Sequence, residues 1–209
     1  MMELVGSDLT CVRGGRQVFR GVGFTVCAGE ALLVTGPNGS GKSSLLRLVA
    51  GLLRPQQGRL KLEGGDLELT IAEQAHYLGH QDALKPSLSL RENLGFWTAL
   101  LGGDAAKSGH ALAAVGLDGL AHLPAVYLSA GQRRRLAIAR LIAVERPIWL
   151  LDEPTSVLDT AAQAMLADLI RAHLADHGLV LVASHGPIGV NGAKQLRLGQ
   201  QADQGTQSP

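Results

Sequence analysis

The sequence predicts an α/β fold: an antiparallel β part at the N-terminus, then a parallel sheet with helices on both faces and an inserted helical subdomain. Three observations predict it. "ALLVT" (Ala31 to Thr35), "IWLL" (Ile148 to Leu151) and "LVLVA" (Leu179 to Ala183) are short continuous apolar runs, the mark of strands buried on both faces. Segments of helical periodicity separate these runs, as a doubly wound sheet requires. The chain ahead of the first run alternates apolar and polar residues, as half-buried antiparallel strands do.

The elements follow in order. "LTCVRG" and "VGFTVCAG" read as strands, the second with Phe24 and Val26 on one face and Thr25 and Cys27 on the other. "ALLVT" is the first buried strand, followed by a glycine-rich turn and an amphipathic helix. "GRLKLEGG" sets Leu60 and Leu62 against charged neighbours and ends in a Gly-Gly turn. Ser89 and Glu92 have capping-box spacing and start a helix through "LRENLGFWTALLGG", which Gly102 and Gly103 stop. On adjacent helix positions about 100° apart, Phe96 and Trp97 cannot be equally buried. "AAKSGHALAAVGL" is a weaker helix, and "LSAGQRRRLAIARL" opens another. The helical subdomain covers about 84–143. A long helix follows through "TAAQAMLADLIRAHLADHG", with Gly178 as its C-cap; His173 and His177 on it read as solvent-facing. The polar tail, about 199–209, reads as frayed, and the whole chain, 1–209, as one domain.

Hydrophobic residues make up 46% and charged residues 18%, which is a globular and not a disordered composition. A net charge of +1 provides no general field for nucleic acid, so anion binding must be local and no nucleic-acid partner is expected. The two cysteines, Cys11 and Cys27, have no metal spacing and read as small buried side chains in a reducing cytosol. No apolar run approaches the ~18 residues that span a bilayer, and no signal peptide is evident at the N-terminus. The expectation is a chain that stays cytosolic or meets a membrane only through a partner.

The chemistry concentrates in four places. Gly36, Gly41, Lys42 and Ser43 fit G-x-x-x-x-G-K-[ST] between a buried strand and a helix. The glycines turn backbone N–H groups toward phosphate oxygens, and the helix start adds partial positive charge. Lys42 is placed to reach the β- and γ-phosphates and the Ser43 hydroxyl to coordinate Mg²⁺. In "PIWLLDEPTSVLD", Asp152 leaves the buried strand as a Mg²⁺ carboxylate, and Glu153 diverges from it to polarise a water. His185 ends the last buried strand, where it can hydrogen-bond a γ-phosphate. Gln81, after "AHYLGH", can reach Mg²⁺ and the attacking water. A fifth place is puzzling: Arg133, Arg134 and Arg135 crowd a helix start, where cations are unfavourable, as if half of an anion site were present without its anion.

Taken together these residues resemble the ATP-binding-cassette (ABC) ATPases over nearly the whole chain. "GPNGSGKSS" resembles the Walker A motif, so Gly36, Pro37, Asn38, Gly39, Ser40, Gly41, Lys42, Ser43 and Ser44 are implied to bind ATP. "IWLLDE" resembles Walker B, Gln81 the Q-loop glutamine, "SVLD" (Ser156 to Asp159) the D-loop, and His185 the switch histidine. "LSAGQ" resembles the signature LSGGQ. The resemblance implies a head-to-tail pair of such chains, in which Ser129, Gly131 and Gln132 of one chain cover the ATP held by the other. The missing anion would then be the partner's γ-phosphate, with the three arginines near a charged interface or on a solvated face. Two positions depart from the pattern. Ala130 replaces the second signature glycine, a small change unless the backbone there needs positive φ. Arg13 stands where an aromatic residue usually stacks on adenine; a guanidinium can stack too, while Phe19 reads as core.

"YLGHQDALKPSLSLRENLGFWTALLG", with "YLSAGQRRRLAIARL" and the short chain, carries a narrower resemblance, to the ATP-binding subunits of the haem exporter of bacterial cytochrome c maturation. It implies integral-membrane partner subunits and a place at the cytoplasmic face of the inner membrane. One of Phe96 and Trp97 would help line a groove for a helix of the membrane subunit. The alternatives are an ATPase subunit of another small transporter, or a non-transport ABC ATPase of iron–sulfur assembly or DNA-related work.

Overall fold

The computed structural model describes residues 1–104, 106–186 and 188–199 of the 209-residue chain. Strands β1 (Glu3–Arg13) and β2 (Arg16–Cys27) form a hairpin, and β4 (Gln57–Glu63) pairs antiparallel with the other side of β1. The hairpin turns through Gly14 and Gly15 at φ 55° and 77°. A two-residue turn with both φ positive matches the right-handed twist of the strands, and glycine adopts it without a Cβ penalty.

The second sheet is all parallel, in the order β5-β6-β7-β3-β8: β3 (Ala31–Thr35), β5 (Ala75–Leu78), β6 (Ile148–Asp152), β7 (Leu179–Ala183) and β8 (Lys194–Arg197). The three apolar runs are its central strands, and their period of two assigns each residue to a face. Leu32, Val34, Ile148, Leu150, Leu179 and Leu181 pack toward the antiparallel sheet and helix α1 (Lys42–Val49), with Leu4, Phe24, Leu45 and Leu46. Trp149, Leu151, Val180 and Val182 pack on the opposite face against α2 (Leu90–Leu100), α3 (Lys107–Ala114), α4 (Ala130–Ala143) and α5 (Thr160–Ala175). Each fully buried leucine contributes roughly 1.5–3 kcal/mol, so the sheet is held from both sides. The antiparallel part, the parallel sheet and the helical insert expected from the sequence are all present. Among the described residues no helix is long and apolar enough to cross a membrane. The tail from 200 onward lies outside the described residues.

At the start of α2, the Ser89 hydroxyl accepts from the Glu92 N–H and the Glu92 carboxylate accepts from the Ser89 N–H. The helix stops at Leu100, before Gly102 at φ 75°. Trp97 is half-buried and Phe96 is 39% exposed, so the two rings are indeed unequal.

Three expectations need correction. Strands β5 and β8 were not foreseen: "AHYL" carries a polar histidine and a tyrosine, and "KQLR" is an edge strand with exposed cations, so neither forms an apolar run. Gly178 is not the left-handed cap of α5; His177 takes that conformation at φ 61°. Gly178 is needed for space, because a Cβ there would lie 2.2 Å from Nε2 of His173. His173 in turn is not solvent-facing. Its ring stacks on Trp149 at 4.0 Å, its Nε2 is 3.2 Å from the Pro147 carbonyl, and burial lowers its pKa.

Candidate nucleotide site

The turn after β3 needs glycine for two separate reasons. Gly36, Gly39 and Gly41 have φ of 143°, 80° and 100°, conformations that L side chains rarely adopt. Cβ atoms would also collide: at Gly36 with the Leu198 carbonyl at 2.5 Å, and at Gly41 with the Phe19 and Val18 side chains at 2.7 Å. Phe19 is thus core, packed beneath the turn, as expected. Helix α1 starts at Gly41 without a side-chain cap. Its first N–H groups, which no intrahelical carbonyl can reach, face the cleft as an anion cradle. Ser40 Oγ is buried there without a partner among the described residues. The Lys42 ammonium donates to the Gly36 carbonyl at 2.9 Å and the Pro37 carbonyl at 3.3 Å, and meets His185 Nε2 at 3.2 Å.

Strand β6 delivers the acids. Asp152 is 3% exposed, and its Oδ1 accepts from the Ser43 hydroxyl at 2.9 Å. These paired oxygen donors beside a phosphate cradle suit a hard divalent cation such as Mg²⁺. Oδ2 of Asp152 accepts from the Tyr77 hydroxyl at 3.3 Å, and that hydroxyl accepts from Arg47 Nε at 3.2 Å. Glu153 leaves the strand in the left-handed region, φ 46°, at a cost of about 1–3 kcal/mol for a side-chain-bearing residue. The strain turns its carboxylate away from that of Asp152. Glu153 Oε1 lies 3.5 Å from His185 Nε2 and, although buried, has no hydrogen-bond partner among the described residues. An unsatisfied buried carboxylate oxygen is placed to accept a proton from a water.

Arg13, Asn38, Gly39, Gly41, Lys42, Ser43, Ser44, Glu153 and His185 line one open cleft. Gln81 does not. It is exposed and faces a separate groove with Trp97, Arg47, Arg140 and Arg146. The Trp97 indole donates to the Ala83 carbonyl at 3.1 Å and lies under the Arg140 guanidinium at 4.4 Å. Ser129, Gly131 and Gln132 also lie off the cleft, at the start of α4. There they form their own capping box: the Ser129 hydroxyl accepts from the Gln132 N–H at 3.2 Å, and Gln132 Oε1 accepts from the Ser129 N–H at 2.8 Å. Ala130 begins the helix and is not among the described residues with positive φ, so its methyl is accommodated.

The three arginines do not fit one of their two expected readings, the solvated face. None is a freely solvated side chain, and all donate to backbone carbonyls: Arg133 to Leu128 at 2.6 Å, Arg135 to Val115 and Gly116, and the fully buried Arg134 to four carbonyls elsewhere in the chain. They anchor α4 to the segments around it. Sequence reasoning missed Tyr77 and Arg134 as neighbours of the acids; a hydroxyl and a guanidinium without a motif around them carry no such signal.

Comparison with known proteins agrees with this geometry. The family model described as ABC transporter matches residues 19–156. The chain is 60% identical over 201 residues to a cytochrome c biogenesis ATP-binding export protein CcmA from Nitrobacter winogradskyi, covering 96% of this chain and all of that one. It is 62% identical to the protein of the same description from Rhodopseudomonas palustris (strain BisB18), again over 96% of this chain and all of that one. Among solved structures, a bacterial Atm1-family ABC exporter with ATP bound superposes with a TM-score of 0.81 at 23% identity, over 94% of this chain and 37% of that one. An ATP-binding subunit of an ABC transporter superposes at 0.78 with 25% identity, over 87% and 79% of the two chains. With the phosphate turn, Glu153 and His185 lining one cleft and Asp152 bonded to Ser43 beside it, the chain belongs to the ABC transporter family, as an ATPase of the transport-coupled type.

Proposed function

We propose that this chain is the ATP-hydrolysing subunit of a haem exporter serving cytochrome c biogenesis, and that it works as a head-to-tail pair beneath integral-membrane subunits. The observation that carries the ATPase part is the convergence of Lys42, Ser43, Asp152, Glu153 and His185 on one cleft. The relatives' description as cytochrome c biogenesis export proteins supports the biological setting. In this reading the nine residues Gly36 to Ser44 hold the phosphates and Arg13 lies against the base. Ser43, Asp152 and Gln81 hold Mg²⁺, which when bound neutralises charge developing on the phosphates. Glu153 accepts the proton of the attacking water, and His185 keeps contact with both Lys42 and Glu153. Gln81 reaches the cleft by turning its side chain out of the groove while Gly79 and Asp82 on either side of it stay held, which ties ATP to the docking face. Ser129, Gly131 and Gln132 complete the site of the partner chain. The groove suits a cytoplasmic helix of the membrane subunit: Trp97 supplies an apolar wall, and Arg47, Arg140 and Arg146 line it without an acidic residue. This docking places the chain at the cytoplasmic face of the bacterial inner membrane.

The test is the Glu153→Gln complex purified from membranes. It is expected to retain integral-membrane subunits and ATP and to lose about 10²–10⁴-fold in turnover. Wild-type turnover with both copies mutated would remove Glu153 from its role. Purification without membrane subunits would remove the docking.

A further inference from the structure

Arg134 lies in the second turn of α4, five positions after Ser129, and is 2% exposed. A guanidinium has five N–H donors in a planar fork. Here five contacts occupy them. Nε donates to the Pro154 carbonyl at 3.2 Å; one terminal nitrogen donates to the Gly79 carbonyl at 2.7 Å and Asp82 Oδ1 at 3.2 Å. The other donates to the carbonyls of Asp152 at 3.0 Å and Glu153 at 2.9 Å. The acceptors fall in two segments that matter to the reaction. Gly79 and Asp82 bracket Gln81, and residues 152–154 hold the two acids. The Glu153 carbonyl also accepts from the N–H and hydroxyl of Ser156. Gly131, in the signature turn, packs on the same loop: a Cβ there would lie 3.1 Å from the Val157 carbonyl.

We propose that Arg134 is the positioning residue of the Glu153 carboxylate: its fork joins the Gly79–Asp82 segment and the 152–154 peptides to α4, so that the signature turn, Glu153 and the root of Gln81 move as one body. The inference rests on Glu153 being the base and on the signature turn meeting the partner's ATP. A contact made at Ser129 by the partner's nucleotide is then felt at this chain's own base. Lysine cannot replace this fork, because three donors on one nitrogen cannot reach five acceptors in two segments. Without the fork, the left-handed turn at Glu153 loses one of its restraints, and a base displaced by about 1 Å loses rate much more than affinity. The phosphate turn is held through separate contacts of Lys42 and the glycines, so the cradle that supplies most of the grip on ATP is kept.

The experiment compares Arg134→Lys, Asp82→Asn and Glu153→Gln in the intact chain, by equilibrium ATP binding, phosphate release and amide hydrogen exchange. Arg134→Lys is expected to lower kcat about 10- to 100-fold while the ATP Kd stays within about threefold. Asp82→Asn should act in the same direction but less. Exchange should quicken in 79–82 and 152–156 while 31–35 stays protected. A merely structural arginine would lower binding and turnover together. Either that parallel loss or a kcat within about twofold of wild type in both variants overturns the proposal. Should Arg134→Lys fail to fold, Asp82→Asn decides alone. Turnover retained in Glu153→Gln marks failure of the base assignment; an inactive Glu153→Gln beside an unimpaired Arg134→Lys marks failure of the positioning role alone.

Discussion

Helices α1 and α4 begin in opposite ways. At α1 the N-cap is Gly41, left-handed and without a side-chain hydrogen bond, so the first N–H groups are left to a ligand. At α4 the Ser129–Gln132 box satisfies the end from within. The Ser89–Glu92 box of α2 does the same, away from the phosphate turn. A capping box, worth about 1 kcal/mol, is therefore a folding device and does not by itself mark a phosphate site. The bare start is the one built around an anion of its own chain. The capped start is complete within one chain.

The sharpest way to break this comparison is at α1. Lys42→Ala should remove the charge that faces the phosphates and cut turnover or nucleotide binding by about 10²-fold or more, measured by equilibrium binding and phosphate release. Near-normal values would mean that the bare helix start alone suffices. The capped start is tested by mixing. A Lys42→Ala chain paired with a Ser129→Arg chain can hold at most one intact composite site, the other carrying both defects. Mixed samples should hydrolyse ATP faster than either variant alone; activity no greater than the separate variants would make α4 irrelevant to the partner's nucleotide.

A third test concerns stability, at the other end of α4. His76 in β5 lies 2.7 Å from the Val144 carbonyl that follows this helix, and burial lowers its pKa from 6.5 to about 4. Neutral when folded and protonated when unfolded, it contributes stability that is complete above about pH 6.5 and lost as pH falls toward 4. At 1.36 kcal/mol per pH unit the full loss is about 3 kcal/mol. Urea unfolding at a series of pH values should show this slope in the wild type and a shallower one in His76→Gln. Equal slopes would show that His76 is not the group that titrates.

The comparison also explains what could be read from the chain alone. The bare start was legible because everything it needs is contiguous: a buried strand, three glycines, Lys42 and Ser43. So were the central strands, whose apolar runs are local. Arg134 was not legible because four of its five acceptors are carbonyls, which every residue has, and all lie 18 to 55 positions away. Tyr77 meets Asp152 across 75 positions through neighbouring strands. Strand β8 is an edge with no apolar run to announce it. His173 is exposed by helix periodicity and covered only because Trp149 of the adjacent sheet comes up beneath it. Position in three dimensions, and not residue type, assigns these roles.

The two tryptophans lie in unlike surroundings. Trp149 is 5% exposed, sealed between the sheet and the His173 ring. Trp97 lines the groove under Arg140 and is tied to the Ala83 carbonyl, two residues after Gln81. Intrinsic fluorescence therefore has two separable sources in one chain: light from Trp149 follows the opening of the core, and light from Trp97 follows the filling of the groove and the motion of the segment beside Gln81.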